Sequence, residues 1–156
     1  MAIWRSEPSD YDEKKLAGIA TSRDLNLCHA ELRSRFLTLQ AEFCAQNPGK
    51  TLLVTCTYRS PEEQNRLYRL GRKGSDIIDH AKVVTNCDGI ITTSDHNKNP
   101  ARAIDIAIVN GGKVTWDGTE YYPLGGLAKR HALEWGGFWT RGKPDYPHLY
   151  LPRDVA

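Results

Sequence analysis

An α+β fold, with a small antiparallel sheet flanked by helices, is the class this sequence predicts. Three observations predict it. The elements run helix, strand, helix, strands, helix, strands; the strands are short and end in turn-forming residues; and Asn110-Gly111-Gly112 supplies a hairpin turn between two of them. A length of 156 residues suits one domain around a single core, so residues 1–156 are read as one unit.

Residues 1–24 are expected to form a loosely packed N-terminal segment, with a short helix over 11–19. An amphipathic helix follows over 29–46. Leu32, Phe36, Leu39 and Phe43 fall at i, i+4, i+7 and i+11 and stack on one face, and Asn47-Pro48-Gly49 stops it. The run 51–58 (TLLVTCTY) is β-branched and aromatic, a buried strand. A second helix opens at Ser60, which can cap, with Pro61 in the first turn and Glu63 completing a capping box. Residues 70–88 read as loop. Strands are expected at 89–93, 103–109 and 113–116, a helix weakened by Gly125 and Gly126 at 122–134, and two last strands at 136–140 and 148–151.

Apolar residues make up 40% and charged residues 26%, the balance of a soluble globular protein rather than a disordered chain. A net charge of +2 and a pI near 8.3 are too mild for a nucleic-acid binder. The densest basic cluster, Arg66, Arg69, Arg72 and Lys73, reads as a solvated helix face. No apolar run approaches the ~20 residues of a membrane helix, so no membrane insertion is expected. The first residues carry no apolar signal region, and synthesis in the cytoplasm is expected. Cys28, Cys44, Cys56 and Cys87 lack C-x-x-C spacing and read as core thiols, with disulfides left open. Dinucleotide, P-loop, HExxH and G-x-S-x-G motifs are absent from the sequence.

Three segments carry chemistry. In 103–109, Ile104, Ile106 and Ile108 alternate toward a core, which points Asp105 the other way between Ala103 and Ala107. The small neighbours leave room for a metal ion on that carboxylate, although an exposed Asp on a one-sided sheet fits as well. In 145–151, Leu149 and Leu151 face one side and His148 and Tyr150 the other, with Asp145 just outside the strand; His148 is a ligand or an ordinary strand histidine. Arg59 lies where a strand ends and a capped helix begins, placed to clamp a carboxylate or oxyanion, or simply a loop arginine. His29 and His131 read as surface or boundary groups, and His80 sits in a loop from which the site is within reach. Trp116, Trp135 and Trp139 read as core or cleft wall.

Taken in order, Tyr58-Arg59-Ser60 with Glu63-Gln64, then Ser94-x-His96 running to Ala103-x-Asp105, then Asp145-x-Pro147-His148, resemble the D-alanyl-D-alanine carboxypeptidase family, which includes the phage L-alanyl-D-glutamate endolysins. The resemblance spans about residues 56–151. It implies the zinc carboxypeptidase/hedgehog-like fold and one Zn2+ per chain on His96, Asp105 and His148. It further implies Asp145 as catalytic base, Arg59 as a catalytic and substrate-binding group, and Gln64 and Ser94 as substrate-binding residues. The implied substrate is a peptidoglycan stem peptide, handled by a monomer. Two departures stand out. Eight residues separate His96 from Asp105, a longer step than usual that phage-type members tolerate, and Tyr150 stands where the family often has an acidic residue, so a partner for His148 is expected from elsewhere. The expected function is a phage endolysin of the L-alanyl-D-glutamate endopeptidase type, made in the host cytoplasm and acting on the wall after release. The alternatives are a D-Ala-D-Ala carboxypeptidase and a non-catalytic, zinc-stabilised wall-binding module.

Overall fold

The computed structural model describes residue 16, residues 18–72 and residues 83–156, and among these residues are three complete α-helices and a five-stranded antiparallel sheet. Helix α1 (Ala30–Gln46) is capped by His29, whose Nδ1 accepts from the Glu31 N–H at 3.2 Å, and ends where the Asn47 side chain donates to the Phe43 carbonyl at 2.9 Å. Its stripe of Leu32, Phe36, Leu39 and Phe43 is fully buried, as the spacing predicts. Strand β1 (Lys50–Cys56) runs antiparallel to β2 (Ala103–Asn110), the centre of the sheet. At its C-terminal end β2 pairs with β3 (Lys113–Thr115). Gly111 and Gly112, at φ 58° and 81°, close that hairpin in the left-handed region that a two-residue turn of this hand requires.

Helix α2 (Pro61–Arg69) follows β1 directly, and α3 (Pro123–Arg130) precedes β4 (Glu134–Trp135). Strand β5 (His148–Tyr150) lies between β2 and β4 and completes the order β1-β2-β5-β4. Ile104, Ile106, Ile108 and Leu149 meet α1, Leu124 and Leu127 in the core on one face of the sheet. The opposite face carries Asp105 and His148, which are direct cross-strand neighbours, and Cys56, paired with Asp105 on the other side. The site therefore sits where three strands present side chains away from the core.

Several expected elements differ. Residues 89–93 form a turn rather than a strand, because the Asp88 carboxylate accepts the N–H groups of Ile90, Ile91 and Thr92 at 2.8, 2.8 and 2.9 Å and withdraws them from any ladder. Residues 136–140 are not a strand either. β4 stops at Trp135, and Gly136–Phe138 coils into a single 3-10 turn packed against the segment before β5. The helix expected over 122–134 ends at Arg130, and Ala132 at φ 54° turns the chain into β4. Ser60 caps α2 through the Glu63 N–H, but the Glu63 carboxylate pairs with Arg66 instead of closing the box.

Most of the short helix expected over 11–19, and the loop around His80, lie outside the described residues. Leu16 and Ile19 pack on Leu27, Tyr58 and Ala101, and Ser22 shares backbone hydrogen bonds with Thr57 and Tyr58. All four cysteines are free; Cys28 and Cys56 are buried, Cys44 and Cys87 half-buried. Among the described residues no helix is long and apolar enough to cross a membrane.

Candidate active site

His96 rides on a single 3-10 turn, Asp95–Asn97. Ser94 caps it by accepting the His96 N–H at 3.3 Å, and the Asn97 side chain returns to the Ser94 N–H at 2.8 Å. The turn is tied to the β1–α2 junction from both sides: the Arg59 N–H donates to the His96 carbonyl and the Asn97 amide to the Arg59 carbonyl, each at 2.9 Å. The His96 ring is consequently buried, only 2% exposed. Its Nδ1 lies 2.7 Å from the Thr57 carbonyl, which can only accept, so Nδ1 carries a hydrogen and Nε2 faces inward.

That Nε2 is buried without a hydrogen bond, 3.2 Å from Asp105 Oδ2. The other Asp105 oxygen lies 2.9 Å from His148 Nδ1. A neutral imidazole nitrogen facing a carboxylate needs a positive charge between them, either a proton or a metal ion. Two donors of a tetrahedral zinc stand about 3.3 Å apart, close to both separations here. The electrostatics point the same way. Burial pushes the Asp105 carboxyl up, but His96 and His148 overcome it and hold the group well below the usual carboxylate range. Burial opposes charging His96, yet Asp105 raises its pKa to about 10. Two groups of possible metal ligands meet at Asp105, Cys56 and His96 on one side and Asp145 and His148 on the other, the ligand atoms of each group lying within 4.8 Å of one another.

Asp145 belongs to the turn entering β5. Its N–H donates to the Gly136 carbonyl at 3.0 Å, and its ligand atom lies within 4.8 Å of those of Asp105 and His148. Burial foremost lifts its carboxyl above the usual range, and the nearby Asp105 charge adds to that against the pull of His148. Arg59 reaches the same point. One Nη donates to Gln64 Oε1 at 3.0 Å; the other donates to Cys56 Sγ at 3.4 Å and stands 3.6 Å from Asp105 Oδ2.

The residues read from the sequence all line one cleft. Gln64 is buried, its amide oxygen accepting from Arg59 and its nitrogen donating to Thr85 Oγ and the Cys87 carbonyl, so it holds Arg59 in place at the cleft. Ser94 lines the cleft, and its hydroxyl oxygen accepts the His96 N–H while its O–H remains able to donate. Cys56 is the residue the sequence reading missed. Alternation from the core-facing Leu52 and Val54 sends it into the core, but a bulge between Val54 and Cys56 turns it toward His96, with Sγ 3.7 Å from Nδ1. His29 binds the Ala156 carbonyl and His131 binds Glu42 and Thr38, both apart from the cleft. Trp139 forms a cleft wall, Trp135 is core and Trp116 is exposed.

The cleft above these groups measures about 1080 Å³ and is also lined by Arg141 and Arg153. No protein-family model matches the chain. The chain is 32% identical over 118 residues to the peptidoglycan L-alanyl-D-glutamate endopeptidase CwlK of Bacillus subtilis (strain 168), an overlap of 69% of this chain and 64% of that protein. The chain thus spans just under two thirds of that relative's length. Among solved structures, the Serratia marcescens L-Ala D-Glu endopeptidase ChiX shares the fold with a TM-score of 0.57 at 23% identity, over 85% of this chain and 88% of that one. The chain is thus similar in sequence to one L-alanyl-D-glutamate endopeptidase and shares its fold with another, and Arg59, His96, Asp105, Asp145 and His148 all line one cleft.

Proposed function

We propose that the chain is a zinc-dependent endopeptidase that hydrolyses the L-alanyl-D-glutamate bond of peptidoglycan stem peptides. The observation that carries the metal is the buried, unbonded Nε2 of His96 facing the Asp105 carboxylate, with His148 Nδ1 on that carboxylate's other oxygen. Zinc held by these three side chains supplies a Lewis acid that acidifies water and polarises a scissile carbonyl. The chain's own groups do the rest. Asp145, kept basic enough by burial, takes the proton of the attacking water and passes it to the leaving amine.

Arg59 is fixed by Gln64 and Cys56 with guanidinium donors left over for a substrate carboxylate or the developing oxyanion. The named activity of CwlK favours a peptide bearing D-glutamate, and Arg59, Arg141 and Arg153 on the cleft wall offer partners for its carboxylate among the acidic groups that also line it. The long step from His96 to Asp105 favours a phage endolysin, which would reach the wall after release from the host cytoplasm.

The test is digestion of purified peptidoglycan by metal-free and zinc-reconstituted protein, with mass spectrometry of the new ends. A new amino terminus on D-glutamate, dependent on zinc, is expected. Release of free D-alanine would replace this reading with a carboxypeptidase, and wall binding without new ends would replace it with a binding module.

A further inference from the structure

The ring of His148 has a problem that its position on β5 does not solve. Its Nδ1 faces Asp105, and its Nε2 has no hydrogen-bond partner among the described residues. Rotation about the Cβ–ring bond of a histidine is broad and roughly two-fold, so the backbone alone does not fix which nitrogen points at the metal position. Ligand histidines are ordinarily held by a hydrogen bond on the far nitrogen, and such partners are worth ~10–100-fold in metal affinity.

Two aromatic rings flank this one. Trp139, just past the 136–138 turn, lies 5.1 Å from the His148 ring centroid at 54°. Tyr150, two residues along β5 on the same face, lies 5.3 Å away at 37°. They are joined to each other: Trp139 Nε1–H donates to the Tyr150 hydroxyl at 3.1 Å, with ring centroids 5.9 Å apart. His96 closes a further side, its centroid 5.1 Å away at 66°. The imidazole therefore stands among three rings, and the two that are not ligand candidates are locked together from different segments of the chain.

We propose that Trp139 and Tyr150 form a hydrogen-bonded aromatic brace that fixes the ring plane of His148 and so sets the affinity of the site for its metal. The brace replaces a hydrogen bond on Nε2 with packing on the ring faces. Both are positioning residues; neither offers a donor to the metal. The proposal rests on the metal-site reading above and adds to it what holds one of its ligands.

The test is zinc affinity, measured by competition with a chromophoric chelator, beside the melting temperature of the metal-free proteins. Tyr150→Phe and Trp139→Phe break the same hydrogen bond from opposite ends, the first at constant ring size and the second with a smaller ring against His148. Each should weaken zinc binding ~10-fold while the metal-free melting temperature stays near that of the parent. The double variant should bind no more weakly than Trp139→Phe alone, because the second change removes a bond already lost. Singles within twofold of a zinc-binding parent, or losses that multiply in the double variant, would overturn the brace. So would a lowered melting temperature with unchanged affinity, which is the mark of a purely structural pair. A parent that binds no zinc would instead overturn the metal site itself.

Discussion

Gly136 offers the sharpest test of the geometry, because a single methyl group placed there pushes on both Asp145 and His148. A Cβ at this position stands 2.5 Å from the Asp145 carbonyl oxygen, 3.1 Å from His148 Cβ and 3.2 Å from Asp145 Cβ. Moving that oxygen from 2.5 Å to the 3.4 Å at which ordinary contact begins is a retreat of 0.9 Å, and the obstacle is backbone, which cannot rotate aside. The retreat also strains the bond from the Asp145 N–H to the Gly136 carbonyl. Overpacking of this kind costs about 1–3 kcal/mol of stability. A misplacement near 1 Å of a catalytic group costs ~10²-fold in rate. Gly136→Ala should therefore fold with a lowered melting temperature and hydrolyse peptidoglycan ~10²-fold more slowly. Gly126→Ala is the control. It lies within α3 with nothing within 4 Å of the added carbon, so it should gain about 0.5–1 kcal/mol and keep its rate. Melting curves and hydrolysis rates of the three proteins, prepared together, decide the matter. Full activity in Gly136→Ala would refute the placement of Asp145 and His148 as a unit.

Four further outcomes are expected. Elemental analysis should find one zinc per chain; His96→Ala and His148→Ala should lose it together with activity, and loss of metal from His29→Ala or His131→Ala instead would show the donor set to be wrong. Asp145→Asn should keep its zinc and its melting temperature yet lose ~10²–10⁴ in rate, and normal hydrolysis by the zinc-loaded variant would remove Asp145 from the mechanism. Gln64→Leu should retain zinc but lose rate through the freed Arg59, which steady-state kinetics on a stem peptide would reveal; unchanged kinetics would leave Gln64 without a role. Glu42 is held below the usual carboxylate range first by its hydrogen bond from His131, and a depressed acid contributes stability above its unfolded pKa that is lost as pH falls through the folded value. The melting temperature of His131→Ala should accordingly fall less steeply on acidification than that of the parent, and parallel curves would contradict the link.

The parts of this molecule that could be read in the sequence are those in which burial imposes a period. α1 could be placed because Leu32, Phe36, Leu39 and Phe43 must share a face to reach the core, and the face of Asp105 followed from the burial of Ile104, Ile106 and Ile108. Where a side chain competes for backbone hydrogen bonds, the pattern misleads. Ile90 and Ile91 look like strand residues but stand 72% and 89% exposed on a turn organised by Asp88. Cys56 was hidden by a one-residue bulge, which reverses the face of everything after it. The tasks of Gln64 and Trp139 depend on contacts between distant segments, for which a linear pattern carries no signal.

The site itself depends on the register of two strands. Asp105 meets His148 because Ile104 is paired with Leu149, and both of those side chains are fully buried in the core. A slip of one residue would send His148 into the core and Leu149 toward the cleft, since successive strand residues alternate faces. The apolar pair thus fixes the polar one: core packing on one face of the sheet selects the only nearby alignment that sets an imidazole against the carboxylate on the other. His96 arrives by a different route, from a capped turn hydrogen-bonded to the end of β1, which is itself in register with β2. Both imidazoles are thereby referenced to one central strand, and the separations of 3.2 and 2.9 Å to Asp105 follow from hydrophobic burial.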